Sequence, residues 1–330
     1  MLQATGFIRS AAFAAATAFA TLMAGQSAMA DDVNVRFSWK LKGEYGFFYL
    51  GEQKGIYKDA GVALKLGEGA GSQAALGALI QGQEDAVILP GIFAISAIQK
   101  GMPVKIVALY QPEAPIVLIS HPEKPVNEPG DLEGKTIAHS IGETGTSYLD
   151  AFCEINKVDC SKVSKVQMDS QSRVPQFLQK QVDVVSVYLT NDLPVLEDRI
   201  GQHFPTLDMA EHGLAIPGMA VVASDAGIAN KAETLKNFLA ANAKAIDMTR
   251  SDPAAATAAL MAVWQGGPSA KVVQQQIEAT SESIHSPSGK PVGWIDEQAI
   301  ADALKLIGSV EDIGEPKPLS TFYTNELLTQ

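Results

Sequence analysis

The sequence predicts an α/β protein of two lobes, each a mainly parallel sheet flanked by helices. Three observations carry this. Short alternating stretches such as VNVRFSW (33–39) and VALKL (62–66) trade places with stretches of helical spacing such as FFYLGEQKGI and SQAALGALIQ. Repeated strand–helix–strand units set parallel strands side by side, with helices on the sheet faces. A second series of the same kind begins at KTIAHS (135–140), after HPEKPVNEPGDLEGKT (121–136), whose proline, glycine and charge mark a boundary. The expected division is a leader over 1–30, a first lobe from 31–120 with 225–330, and a second lobe over 121–224.

The chain opens on a targeting segment. Arg9 is the one charged side chain before an uncharged run from Ala11 to Ala24, and Ala28-Met29-Ala30 has the small-x-small pattern of a cleavage site. The apolar run is too short to span a membrane, so a secretory signal peptide cut after Ala30 is expected. The mature chain then begins at Asp31, outside the cytoplasm.

In the first lobe, VNVRFSW reads as a strand, FFYLGEQKGI as a helix ended by Gly61, and VALKL as a strand. Glycines at 67, 69 and 71 then turn the chain before a helix at Ser72. DAVIL, IFAISAIQ, VKIVALY and PIVLISH continue as strand, helix, strand and strand. The second lobe repeats the theme with KTIAHS, a helix over TSYLDAFCEI, KVQMDS, VPQFLQKQ and VDVVSVYLTND. LAIPGMAVVAS (214–224) is a candidate return crossing, and from Ala226 the chain is mainly helical.

Composition narrows the function. The chain has 25 basic and 37 acidic side chains, net −12, and losing Arg9 with the leader makes that −13. Such a surface repels nucleic acid and anionic lipid, and no basic cluster interleaved with aromatics is present. Cys153 and Cys160 lie seven residues apart in an exported chain, where neighbouring cysteines pair, so a disulfide pinning a helix end is expected. The five histidines show no metal-ligand spacing. Gly67-x-Gly69-x-x-Ser72 imitates a dinucleotide fingerprint but lacks the third glycine.

Candidate ligand contacts fall at the carboxyl ends of predicted strands, where open α/β sheets bind ligands. Gly71, Ser72 and Gln73 start one helix, and Thr144, Gly145, Thr146 and Ser147 of the GETGTS segment start another. Two facing helix amino-termini offer free amides and positive dipole ends to a polar or anionic group. The plain alternative for both is N-capping. Trp39, Tyr45 and Tyr188 are placed to sandwich a flat ring, against the alternative of core packing, which Phe47, Phe48 and Tyr49 suit better. Glu44 and Asp192 would accept from ring amino groups, and Gln111 would both donate and accept. On this view Tyr45→Ala abolishes binding with little loss of fold. Arginines are few, so no bidentate clamp for an acid stands out.

Taken together, GEYGFFYLGEQKGIYKDAGVAL, GS at 71–72, GQEDAVIL, KGMPVKIVALYQ, GDLEGKTIA, QVDVVSVY and FYTNELL resemble the periplasmic substrate-binding proteins of ABC importers. The branch is that of thiamine-precursor pyrimidine, alkanesulfonate and taurine binders. Gln53 departs from the acidic residue usual at its position, and the residues before Tyr45 also differ. The resemblance implies the type II periplasmic-binding-protein fold with a ligand cleft at the hinge. It further implies a monomer without cofactor or catalytic residues, partnered by a small-molecule ligand and the importer's permease in the inner membrane. The expected ligand is a thiamine-precursor pyrimidine, with sulfonate, taurine or an aromatic acid as alternatives. A pyrimidine-synthase-like enzyme of the same fold is the rival of another class; such enzymes use a cysteine-rich motif.

Overall fold

A computed structural model of the protein describes residues 30–140 and 143–329. The expected signal peptide lies outside the described residues, apart from Ala30. Among those residues, no helix is long and apolar enough to cross a membrane.

The elements run β1 (Asp31–Phe37), α1 (Gly46–Gln53), α2 (Ile56–Asp59), β2 (Val62–Gly67), α3 (Ser72–Ile80), β3 (Ala86–Pro90), α4 (Gly91–Gln99) and β4 (Val104–Leu109). Next come β5 (Ile116–Ser120), β6 (Thr136–His139), α5 (Thr144–Ser147), α6 (Leu149–Asn156), β7 (Ser164–Gln167), α7 (Arg173–Leu178), β8 (Val184–Tyr188), α8 (Asp192–Ile200) and β9 (Thr206–Asp208). Last are β10 (Met219–Ser224), α9 (Asp225–Ser251), α10 (Pro253–Met261), α11 (Ala270–Ser283) and α12 (Glu297–Gly308).

Two five-stranded sheets share one topology, β2-β1-β3-β10-β4 and β7-β6-β8-β5-β9. In each, one strand runs against its neighbours: β10 between β3 and β4, and β5 between β8 and β9. These are the strands by which the chain changes lobe, which moves the expected boundaries. β5 belongs to the second sheet although it precedes the polar stretch at 121, and β10 belongs to the first. A crossing strand pairs at once on arrival, so the composition shift marks the loop after it. The crossings themselves, 110–115 and 209–218, are hydrogen-bonded to each other, with Gly218 N donating to Gln111 O at 2.9 Å and Ala114 N to Ile216 O at 2.5 Å.

Local departures from the sequence reading have physical causes. The single helix expected over 47–56 is broken by Gly55, which sits in the left-handed region with φ 73°. The helix expected over TSYLDAFCEI divides at Tyr148, whose ψ of 16° is not helical. Cys153 on α6 and Cys160 are disulfide-bonded, with α-carbons 5.7 Å apart, tying the last turn of α6 to the segment that returns to β7.

Helices α1, α2 and α9 bury an aromatic cluster against the first sheet, in which Phe37, Phe48, Tyr57, Tyr110 and Phe238 are fully enclosed. Tyr57 OH donates to Asn242 Oδ1 and Asn242 Nδ2 donates to Tyr110 OH, both at 2.8 Å. Burial pushes both tyrosine hydroxyls well above their ordinary range. Asn242→Ala strands both hydroxyls, so chemical denaturation should show about 3 kcal/mol of lost stability. A loss under about 1 kcal/mol would mean the hydroxyls find other partners.

Candidate functional site

The carboxyl ends of both sheets' parallel strands face a common cleft, as the position of ligand sites in open α/β sheets requires. It holds two chambers that share Trp39, Lys42 and Tyr188, of about 260 Å³ and 330 Å³.

The first chamber is built by the loop after β1. Gly69 N donates to Trp39 O at 3.1 Å and Gly71 N to Ser38 O at 2.7 Å, folding the glycine turn onto that loop. Any Cβ at Gly69 would lie 2.0 Å from Phe37 O, and Gly71 has φ +128°, so both positions require glycine. The turn sets the amino-terminus of α3 at the cleft with no side-chain cap, leaving its first amides open. Ser72 lines this chamber. Gln73 instead faces an outer groove between α3 and α4.

The matching arrangement expected from the second lobe is filled by the chain itself. Glu143, the N-cap of α5, accepts from Gly145 N at 2.7 Å and Thr146 N at 2.8 Å. It also accepts from the hydroxyls of Thr146 and Ser186. The paired amino-terminal clamp is therefore one-sided, because an acidic side chain supplies internally what a ligand was expected to bring. Thr146 is buried, with its hydroxyl 2.9 Å from His139 Nδ1, and the Ser147 hydroxyl donates to Glu143 O. Gly145 packs so closely that a Cβ would meet Ser186 Cβ at 2.8 Å. Thr144 does stand on the wall of the second chamber, 3.5 Å from Tyr188 OH. The acidic residue just ahead of TGTS was the sequence signal for a cap.

The aromatic walls also differ from expectation. Tyr45 lines the first chamber but is 1% exposed, its ring stacked on Phe37 at 3.9 Å. Lys42 Nζ lies 5.6 Å from the Tyr45 ring centroid and 5.7 Å from that of Tyr188. The ammonium thus occupies the space between rings where a flat ligand was expected, an arrangement favoured by the ring quadrupoles. Trp39 is half exposed and stands where the chambers join.

Glu44 is committed within the protein. Its Oε1 pairs with Lys42 at 2.7 Å, and its Oε2 accepts from Asn191 Nδ2 of the other lobe at 2.8 Å. Burial and then the neighbouring Glu44 carboxylate push the Tyr45 hydroxyl well above its ordinary range. Gln111 is likewise spent, its oxygen accepting from Met219 N at 3.0 Å and its nitrogen donating to Ser283 at 2.7 Å. Asp192, at the start of α8, accepts from Tyr188 N at 3.0 Å. It keeps solvent access along the cleft, yet desolvation raises its carboxyl pKa, against the pull of the Tyr188 amide, Lys42 and Arg173.

Sequence reasoning missed Lys42, Arg173, Asn191 and Gln276. Asn191 and Gln276 form a buried bridge between the lobes. Gln276 Nε2 donates to Asn191 O at 2.8 Å, while its Oε1 accepts from Gly43 N at 3.0 Å. A Cβ at Gly43 would lie 2.2 Å from Gln276 Cβ, so only glycine permits this approach. These residues stand far apart in sequence and carry no shared pattern.

The fold is similar to that of solved binding proteins. The periplasmic aliphatic sulphonate binding protein SsuA from Escherichia coli is 17% identical with a TM-score of 0.65, over 84% of this chain and 86% of that one. The alkanesulfonate-binding protein SsuA from Xanthomonas axonopodis pv. citri, bound to MOPS, is 15% identical with a TM-score of 0.63, over 90% and 98%. A protein from Bordetella bronchiseptica RB50 is 21% identical with a TM-score of 0.64, over 90% and 95%. No curated protein matches the sequence. The family model described as NMT1/THI5 like matches residues 43–256, well over half of the chain. The protein therefore belongs to the NMT1/THI5-like family and has the two-lobed α/β fold of periplasmic binding proteins.

Proposed function

We propose that the protein is the soluble periplasmic receptor of an ABC importer, closing two lobes on a small organic molecule and delivering it to the inner-membrane permease. The observation that carries this reading is the two-chambered cleft between matching sheets, walled by residues of both lobes and spanned by the Glu44–Asn191 bond. The names of the sulfonate-binding neighbours and the membership of the family agree with it. A synthase-like enzyme is disfavoured because both cysteines are joined in a disulfide on α6 and so offer no thiol.

The geometry favours an organic anion over a thiamine-precursor pyrimidine. The carboxylate and ring pair expected to read a pyrimidine are engaged, Glu44 by Lys42 and Asn191, and Tyr45 by Phe37. What stays open are donors, the first amides of α3, with the Lys42 ammonium beside them already paired to Glu44. The half-exposed Trp39 beside Tyr188 is the one feature that still suits a pyrimidine.

Thermal unfolding of refolded residues 31–330 against alkanesulfonates, taurine, aromatic carboxylates and thiamine-precursor pyrimidines tests the reading. A ligand at a hundred times its dissociation constant stabilises by about 2.7 kcal/mol, a clear rise in midpoint. A shift with sulfonates or carboxylates is expected. A shift with pyrimidines alone would keep the receptor and reverse the ligand class, and no shift with any compound would count against the receptor.

A further inference from the structure

Part of the donor fork of Arg173 has no acceptor among the described residues. This residue opens α7 and lines the second chamber, its side chain 15% exposed. Nη1 donates to Ser186 O at 3.0 Å and to Ser186 Oγ at 3.2 Å. Nε is buried and has no acceptor among the described residues. The nearest carboxylate oxygen, Glu143 Oε1, lies 3.8 Å from Nη1, beyond hydrogen-bonding reach. That carboxylate is already saturated by two backbone amides and two hydroxyls. Asp192 shares the chamber but forms no ion pair with Arg173. A guanidinium carries five donors in a flat fork, and leaving them unmet in a partly enclosed wall is costly.

We propose that Arg173 is the oxyanion-binding group of the second chamber, and that the ligand is elongated, with a sulfonate, carboxylate or phosphate end held there. The fork of a guanidinium matches two oxygens of such a group, which a lone ammonium does not. From Arg173 the ligand passes Trp39, Lys42 and Tyr188, which both chambers share, and its other end reaches Ser72 and Phe93 in the first chamber. Lys42 is less able to be the principal anchor, because Glu44 already neutralises it at 2.7 Å. This inference rests on the receptor reading for the rest of the ligand, while the oxyanion end stands on Arg173 alone.

The test compares the wild type with R173Q and R173K using two probes, sulfate and benzenesulfonate, with neutral benzenesulfonamide as the uncharged counterpart. Midpoints are read against chloride at equal ionic strength, and circular dichroism checks that each variant is folded. Expected is a sulfate-dependent rise in midpoint that R173Q abolishes. Benzenesulfonate affinity should fall about 10- to 100-fold in R173Q. R173K, which keeps the charge without the fork, should lie between, and benzenesulfonamide should bind the wild type and R173Q alike. Equal sulfate shifts in wild type and R173Q, or none in the wild type, would overturn the proposal. Benzenesulfonate binding that is indifferent to R173Q would overturn it while leaving the receptor standing. An Arg173-dependent sulfate shift without binding of any organic compound would support the oxyanion site and remove the receptor.

Discussion

Tyr45→Ala is expected to destabilise the protein by about 3–5 kcal/mol, the cost of removing a large ring from a packed core. The ring is 1% exposed and stacks on Phe37 at 3.9 Å, within the cluster that joins α1 to the first sheet. The sequence reading places Tyr45 as a ligand wall whose truncation spares the fold, and burial reverses that expectation. Urea unfolding distinguishes the two. A loss below about 1 kcal/mol would show that the ring is not part of the core. Tyr45→Phe keeps the packing and is the substitution that reports on the chamber itself.

Gln276→Ala is expected to loosen lobe closure and weaken ligand binding about tenfold or more, although Gln276 lines neither chamber. Its amide is buried; the nitrogen crosses the lobe boundary to Asn191 O, while the oxygen accepts from Gly43 N of its own lobe. Hydrogen bonds of this kind contribute about 0.5–1.5 kcal/mol each, and those to a charged group about 1.5–3 kcal/mol. The Asn191–Glu44 bond is of the second kind. Glu44 also holds Lys42 between the tyrosine rings, so lobe closure and the placing of the cleft's ammonium are coupled through one carboxylate. A binding-competent closed state that is less populated raises the apparent dissociation constant in proportion. Small-angle scattering of the ligand-free Gln276→Ala protein should show a larger radius of gyration than the wild type. Unchanged scattering with unchanged affinity would show that the bridge does not govern closure.

The layered α/β plan was legible because alternation and helical spacing are local signals. Val33, Val35 and Phe37 face inward from β1 with no exposure, as VNVRFSW implies. The division into lobes was less legible, since β5 and β10 look like ordinary strands and only pairing shows which sheet each joins. For the site, the glycine turn before Ser72 could be read from glycine spacing. The roles of Glu44 and Glu143 could not, because sequence shows a carboxylate and not the donors that the fold brings to it. Glu44 meets Asn191 across 147 positions, and Glu143 meets Ser186 across 43. Such meetings depend on tertiary packing. Arg173 was passed over for the same reason, as its value lies in having few acceptors nearby.

The most direct test of a receptor is to titrate refolded residues 31–330 calorimetrically with the tightest-binding anion, then release the bound compound by denaturation and weigh it by mass spectrometry. The account predicts one molecule bound per chain and recovered with its mass unchanged. A compound returned with altered mass, or anions that never bind while other compounds do, would contradict a receptor that closes on an organic anion.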